Sequence, residues 1–210
     1  MKKVLFLDLN GTSVDDWDLS YAGVKAIFGA YKKPVPSIEE YVSAVASDGG
    51  YLQFYLDRGI NATRDNLYTI FTPAYHALMK ELRVTPGLHT TLRILKDAGV
   101  EIHLISAGQK DFAEPLVTRA SLQGYCESMH FHVHDKAAQV KAIIQGMDYI
   151  KPHECAMIGD LPSDMLDSKR AGINGVAFLN KHVPRELFTN IEMDFAVIEF
   201  EGILPFMLER

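Results

Sequence analysis

The sequence predicts an α/β fold in which a parallel sheet forms the middle of a three-layer sandwich, with an α-helical cap inserted into it. Three observations predict this. Short apolar runs recur, each ending in a loop of glycine with acidic or hydroxyl side chains. Helical spacing fills the segments between these runs, with no hairpin signal. One long stretch, residues 15–83, breaks the alternation and reads as amphipathic helices throughout.

Taken in order, Val4 to Leu7 is a continuous apolar run that stops at Asp8–Thr12, the pattern of a strand buried on both faces. The helical stretch follows, with breaks at Lys33 to Ser37, Ser47 to Gly50 and Gly59 to Thr63; Pro73 within it should mark a helix start or a kink. Trp17 and Tyr21 follow the first strand closely, and packing between helices or lining a cleft are both open to them. Thr85-Pro86-Gly87 then opens a helix carrying Leu88, Leu92 and Leu95, closed by Gly99. Val100 to Ile105 is the second strand and runs into Ser106-Ala107-Gly108. A helix over about residues 111–121 leads to a short strand near His130–Val133, on which His130, His132 and His134 would share one face as edge-strand histidines. A helix from Lys136 to about Gln145 feeds the strand Cys155–Ile158, which runs into Gly159-Asp160. A helix around Met165–Ala171 precedes a last strand at Gly175–Leu179, and Asn180–Pro184 is a loop. Ligand sites of such sheets lie beyond the carboxyl ends of the strands, where the acidic and hydroxyl-bearing loops fall. The expected division is a core of residues 1–14 and 84–210 and a cap of residues 15–83.

Composition narrows the function classes. The chain has 210 residues, 48% hydrophobic and 23% charged, enough to bury a substantial core in one domain with an inserted module. A formal charge of −6 leaves no broad basic surface, which excludes generic binding to nucleic acid or to an anionic membrane. Cys126 and Cys155 stand far apart without metal-ligand spacing, so both read as reduced thiols of a cytoplasmic protein. Asp8 and Asn10 interrupt the first apolar run before it reaches the length of a signal segment, and no other run approaches a membrane span. Oligomeric state leaves no mark in the sequence.

Asp8 alone could be a cap or a turn residue. An acid after one strand, Ser106 after a second, Lys136 opening a helix and Asp160 with Asp164 after a further strand would all converge at one sheet edge. This ordered set resembles the haloacid dehalogenase superfamily. Its first motif, Asp-x-Asp-Gly-Thr, is similar to Asp8-Leu9-Asn10-Gly11-Thr12; the second resembles Leu104-Ile105-Ser106-Ala107-Gly108; the fourth resembles Gly159-Asp160-Leu161-Pro162-Ser163-Asp164. The third-motif lysine has two candidates, Lys136 and Lys151, of which Lys136 is favoured because Asp135-Lys136-Ala137-Ala138-Gln139 looks like the family's helix start.

The resemblance implies a Rossmann-like core and a magnesium-dependent hydrolase, a phosphatase of a small phosphorylated metabolite with Asp8 as covalent nucleophile. It implies metal ligation by Asp8, Asp160, Asp164 and the backbone carbonyl of Asn10. It also implies phosphate contacts from Gly11, Thr12, Ser106, Ala107, Gly108 and Lys136. Ser47 and Asp48 occupy the place where capped relatives send a loop into the site, although an ordinary helix-linking turn is an equal reading. The chemistry is coherent without the family: a carboxylate attacks phosphorus only when a divalent cation screens the repulsion between them, and hard carboxylate oxygens suit magnesium.

Asn10 is the departure, since the family's aspartate at this position protonates the leaving oxygen and asparagine cannot. The leaving group could need no proton, as in an acyl or aryl phosphate; Asp15, Asp16 or a cap residue could substitute; or Asn10 could be engineered or mark a sensor or scaffold that has lost catalysis. A metal-independent dehalogenase is a further alternative, weakened by the Asp160–Asp164 loop, which a metal explains better. A mutase is disfavoured because nothing in the sequence would shield the covalent intermediate from water.

Overall fold

The computed structural model describes residues 3–46 and 50–209. The chain enters through β1 (Val4–Leu7), whose four side chains are all buried. A two-residue strand β2 (Val14–Asp15) follows, then four helices: α1 (Trp17–Ala30), α2 (Ile38–Val45), α3 (Gly50–Leu56) and α4 (Arg64–Ala77). The chain returns through β3 (Arg83–Val84), which pairs antiparallel with β2, so that one short ladder ties together the two ends of the helical insertion. Next come α5 (Leu88–Asp97), β4 (Glu101–Ile105), α6 (Lys110–Arg119), β5 (Ser128–His130), α7 (Lys136–Gln145), β6 (Cys155–Gly159), α8 (Pro162–Ala171), β7 (Asn174–Phe178), β8 (Phe195–Val197) and α9 (Ile203–Leu208).

The main sheet has the order β5-β4-β1-β6-β7-β8 and all its pairings are parallel. Leu7 stands opposite Leu104 on one side and Ile158 on the other, so the residues that follow these three strands emerge together at the sheet's carboxyl edge. Helices cover both faces. Leu5, Leu7, Ile102 and Leu104 belong to the large core that extends into the helical insertion, whereas Val4, Phe6, Met157 and Val140 form a smaller core on the opposite face.

Local chemistry sets the helix starts. Ser37 and Glu40 form a reciprocal capping box on α2; Thr63 caps α4; and Asp135 accepts from the Ala138 N–H at 3.0 Å, which starts α7 at Lys136. Within the insertion α1 packs on α4. Gly23 makes this possible, since a Cβ there would lie 2.4 Å from the Phe71 ring.

Several sequence expectations need correction. The strand expected at His130–Val133 lies at Ser128–His130, because these residues pair with His103–Ile105. His132 has a left-handed φ of 58° beyond the strand, so the three histidines share no strand face; the His132 and His134 rings instead meet edge to face at 4.6 Å. Of the two readings of Pro73, the helix start is excluded, since the proline lies inside α4. The last strand foreseen, Gly175–Leu179, runs one residue earlier, and β2, β3 and β8 had no counterpart in the reading of the sequence. Among the described residues no helix is long and apolar enough to cross a membrane.

Candidate active site

Asp8 follows β1, Ser106 follows β4, and Asp160 follows β6, so three neighbouring strands deliver their next residues to one edge. Asp164 comes from the first turn of α8 and Lys136 from the first residue of α7. One carboxylate oxygen each from Asp8, Asp160 and Asp164 lies within 4.8 Å of the others, and all three residues are buried. Lys136 Nζ donates to Asp8 Oδ1 at 2.6 Å and to Asp164 Oδ1 at 2.7 Å. Lys151, the other candidate lysine, lies exposed in the lead-in to β6.

Three carboxylates face one ammonium here, which leaves a buried excess of negative charge. Burial pushes the Asp8 carboxyl up to about 6, partly offset by Lys136 and reinforced by Asp164. Asp160 is also raised well above the usual carboxylate range, by burial first and then by its Asp8 and Asp164 neighbours. Burial disfavours the charge on Lys136, but Asp164 and Asp8 outweigh it and hold the ammonium protonated. Oxygen donors at this spacing, carrying uncompensated charge, fit a hard divalent cation such as Mg²⁺.

Asp160 is held by neutral donors. Thr12 Oγ1 donates to Oδ1 at 3.1 Å and Asn180 Nδ2 to Oδ2 at 2.8 Å, while the same Asn180 amide reaches the Gly11 carbonyl at 3.1 Å. Asn180 was missed in the sequence reading. Its signal was available, since it follows the carboxyl end of β7 as Asp8 follows that of β1. Gly11, at φ 73°, passes so close to Asp160 that a Cβ would lie 2.1 Å from Oδ2. Asp164 also accepts from the Leu161 N–H at 3.1 Å, so it caps α8 with one oxygen and faces Lys136 with the other.

Ser106 is 1% exposed, and its hydroxyl accepts from the Gly108 N–H at 3.1 Å. Backbone bonds from His132 to Gly108 and from Val133 to Ser106 brace this loop. Asn10, Gly11, Ala107, Gly108 and Asp160 line a cleft of about 190 Å³ whose far wall comes from the helical insertion. A larger cavity of about 550 Å³ touches Gly11 from another side, where Lys181 and His182 pair with Asp15. Ser47 and Asp48 lie outside the described residues.

The Asn10 side chain is engaged. Its amide donates to Asp16 Oδ2 at 2.6 Å, and the same carboxylate receives the Tyr75 hydroxyl at 2.7 Å and the Gly11 N–H at 2.9 Å. Burial raises the Asp16 carboxyl, although these three donors pull it back. Trp17 lines the cleft, whereas Tyr21 is turned to the Pro36 carbonyl at 2.7 Å.

A family model described as haloacid dehalogenase-like hydrolase matches residues 4–178. Phosphoglycolate phosphatase 1 of Pseudomonas aeruginosa is 26% identical, over 84% of this chain and 69% of that protein. A hydrolase from Pseudomonas syringae of known structure has a TM-score of 0.81 at 19% identity, covering 97% of this chain and 96% of that one. A haloacid dehalogenase-like family hydrolase from Streptococcus pneumoniae has a TM-score of 0.79 at 17% identity, covering 98% of both chains. At these identities the solved structures speak to the fold alone.

Proposed function

The chain belongs to the haloacid dehalogenase-like hydrolases, and from that premise we propose that it is a magnesium-dependent phosphatase of a small phosphorylated metabolite, with Asp8 as its nucleophile. The observation that carries this reading is the placement of Asp8 Oδ1, 2.6 Å from Lys136 Nζ, inside a cluster of three buried carboxylates. Asp8, Asp160, Asp164 and the Asn10 carbonyl would hold Mg²⁺, which when bound screens the charge between carboxylate and phosphate.

Asp8 attacks phosphorus, an oxygen–phosphorus bond forms, and the ester oxygen departs with its electron pair. Water then attacks the phosphorus of the aspartyl-phosphate, releasing inorganic phosphate and the free Asp8 carboxylate. Lys136 would neutralise charge spreading onto the phosphoryl oxygens, with the Ser106 hydroxyl and the Ala107 N–H as further donors. Residues 15–83 would serve as a cap that shields this step from bulk water. A metal-independent dehalogenase would leave the clustering of Asp160 with Asp8 and Asp164 without a countercharge beyond Lys136, which a divalent cation supplies.

Phosphate release from phosphate monoesters and acetyl phosphate should depend on Mg²⁺ and vanish in Asp8→Asn, with an acyl-phosphate adduct on Asp8 detectable after rapid acid quench. Metal-independent turnover, or turnover retained in Asp8→Asn, would sink the reading.

A further inference from the structure

Beyond its phosphate-handling end, the cleft is walled by Trp17, Tyr41, Tyr51, Tyr68, Phe71 and Phe112. All four helices of the insertion contribute, together with α6 of the core. The rings pack against one another, Tyr51 on Phe71 at 6.2 Å and 89°, Tyr68 on Phe112 at 6.1 Å and 75°, and Trp17 on Tyr41 at 6.0 Å and 69°. Burial pushes the Tyr41 and Tyr51 hydroxyls up, so these rings stay uncharged at neutral pH, and the carboxyl groups in the lining are those of Asp16 and Asp160.

Among the described residues no lysine or arginine lines this cleft. Arg64, whose charge reaches the Tyr51 and Tyr68 hydroxyls, lies outside the lining and meets His134 at 2.8 Å. With the Asp16 carboxylate in the lining and, among the described residues, only the neutral Trp17 Nε1 and Tyr51 hydroxyl unpartnered there, a substrate carrying a carboxylate beside its phosphate would need a countercharge that this wall lacks. A ring would not. An apolar cavity of about 150 Å³ takes up benzene, and the whole cleft, its phosphate-handling end included, measures about 190 Å³, which limits the organic group to a single ring.

Resting on the phosphatase reading of the same site, we infer that the cleft selects phosphate monoesters of a single-ring aryl group. Asn10 fits that class. As Asp8 bonds to phosphorus and the P–O(aryl) bond breaks, the aryl oxide leaves with its electron pair and takes its proton later from water. A phenol of pKa about 10 needs no protonation to leave, whereas an alkoxide does. The missing carboxylic acid at position 10 and the missing cation in the wall thus point to the same leaving group by separate routes.

The test is calorimetric binding to the intact protein in Mg²⁺, using two inert phosphonates: benzylphosphonate, which mimics phenyl phosphate, and 3-phosphonopropionate, which mimics phosphoglycolate. Benzylphosphonate should bind about tenfold more tightly or better. Equal binding, or tighter binding of 3-phosphonopropionate that disappears in Arg64→Gln, overturns the inference and assigns the cleft to a carboxylate. The aryl preference in a protein that releases no phosphate from phenyl phosphate or acetyl phosphate would uphold the cleft's selectivity and overturn the hydrolase reading instead.

Discussion

The Asn10 side-chain amide donates to the Asp16 carboxylate at 2.6 Å, which makes the departure at position 10 part of a hydrogen-bonded pair rather than an isolated loss. Asp16 is 2% exposed, so its charge relies on that amide, on Tyr75 and on the Gly11 N–H.

Asn10→Asp would set two carboxylates against each other in this buried position. The variant should lose roughly 2–3 kcal/mol of stability at neutral pH, and adding Asp16→Asn should recover most of it, as read by denaturant melts. It should also raise turnover of alkyl phosphates more than of acetyl phosphate, since the regained acid helps only a leaving group that needs a proton. Equal changes on the two substrates would refute the link between Asn10 and the leaving group.

Lys136→Met removes the cation between Asp8 and Asp164. Turnover should fall about 10²–10³-fold, while Mg²⁺ binding should not weaken, because a competing positive charge has gone. In EDTA at neutral pH the variant should be destabilised by about 3–5 kcal/mol, the usual effect of leaving buried charges unpaired. Steady-state kinetics and metal titration separate this from a general folding defect.

Asp8 titrates near 6 in the fold, against about 4 in an unfolded chain. Between those values the folded, metal-free protein holds a proton that the unfolded chain has released, so stability falls as pH rises through this window. In EDTA the melting temperature should therefore drop from about pH 4 to about pH 6 more steeply in the wild type than in Asp8→Asn. Mg²⁺ above that window should raise it again by binding the folded state. Identical pH profiles for the two proteins would contradict the burial of Asp8.

Gly11→Ala places a Cβ 2.1 Å from Asp160 Oδ2 at a φ of 73°. Asp160 must move. Mg²⁺ affinity should fall about tenfold or more while circular dichroism stays native; unchanged affinity would mean that Asp160 takes no part in the metal site.

Strands buried on both faces were legible because their runs are continuous. β1, β4 and β6 fall within a residue of where the apolar runs place them, and α7 begins at Lys136 because Asp135 caps it. Short or edge elements were not. β2 and β3 have two residues each, too few for any periodicity, and β5 takes its register from β4 rather than from the alternation of its own histidines. Asp16 entered the sequence reading only as one of several substitutes for the lost acid, because a contact across six residues through Asn10 and fifty-nine through Tyr75 leaves no local pattern.

The sequence alone determined the order of the buried strands and of the helices between them, and the chemical identity of the groups after those strands, since burial of a run and the capping of a helix depend on near neighbours. The tertiary structure decided that Asp8, Asp160, Asp164 and Lys136 share one buried charge cluster, that Asn180 and Thr12 hold Asp160, and that the cleft wall is aromatic and, among the described residues, lacks a lysine or arginine. Those facts depend on how separate helices pack across the sheet edge. Side chains more than a hundred residues apart meet there only because the parallel register brings their strands to a common end.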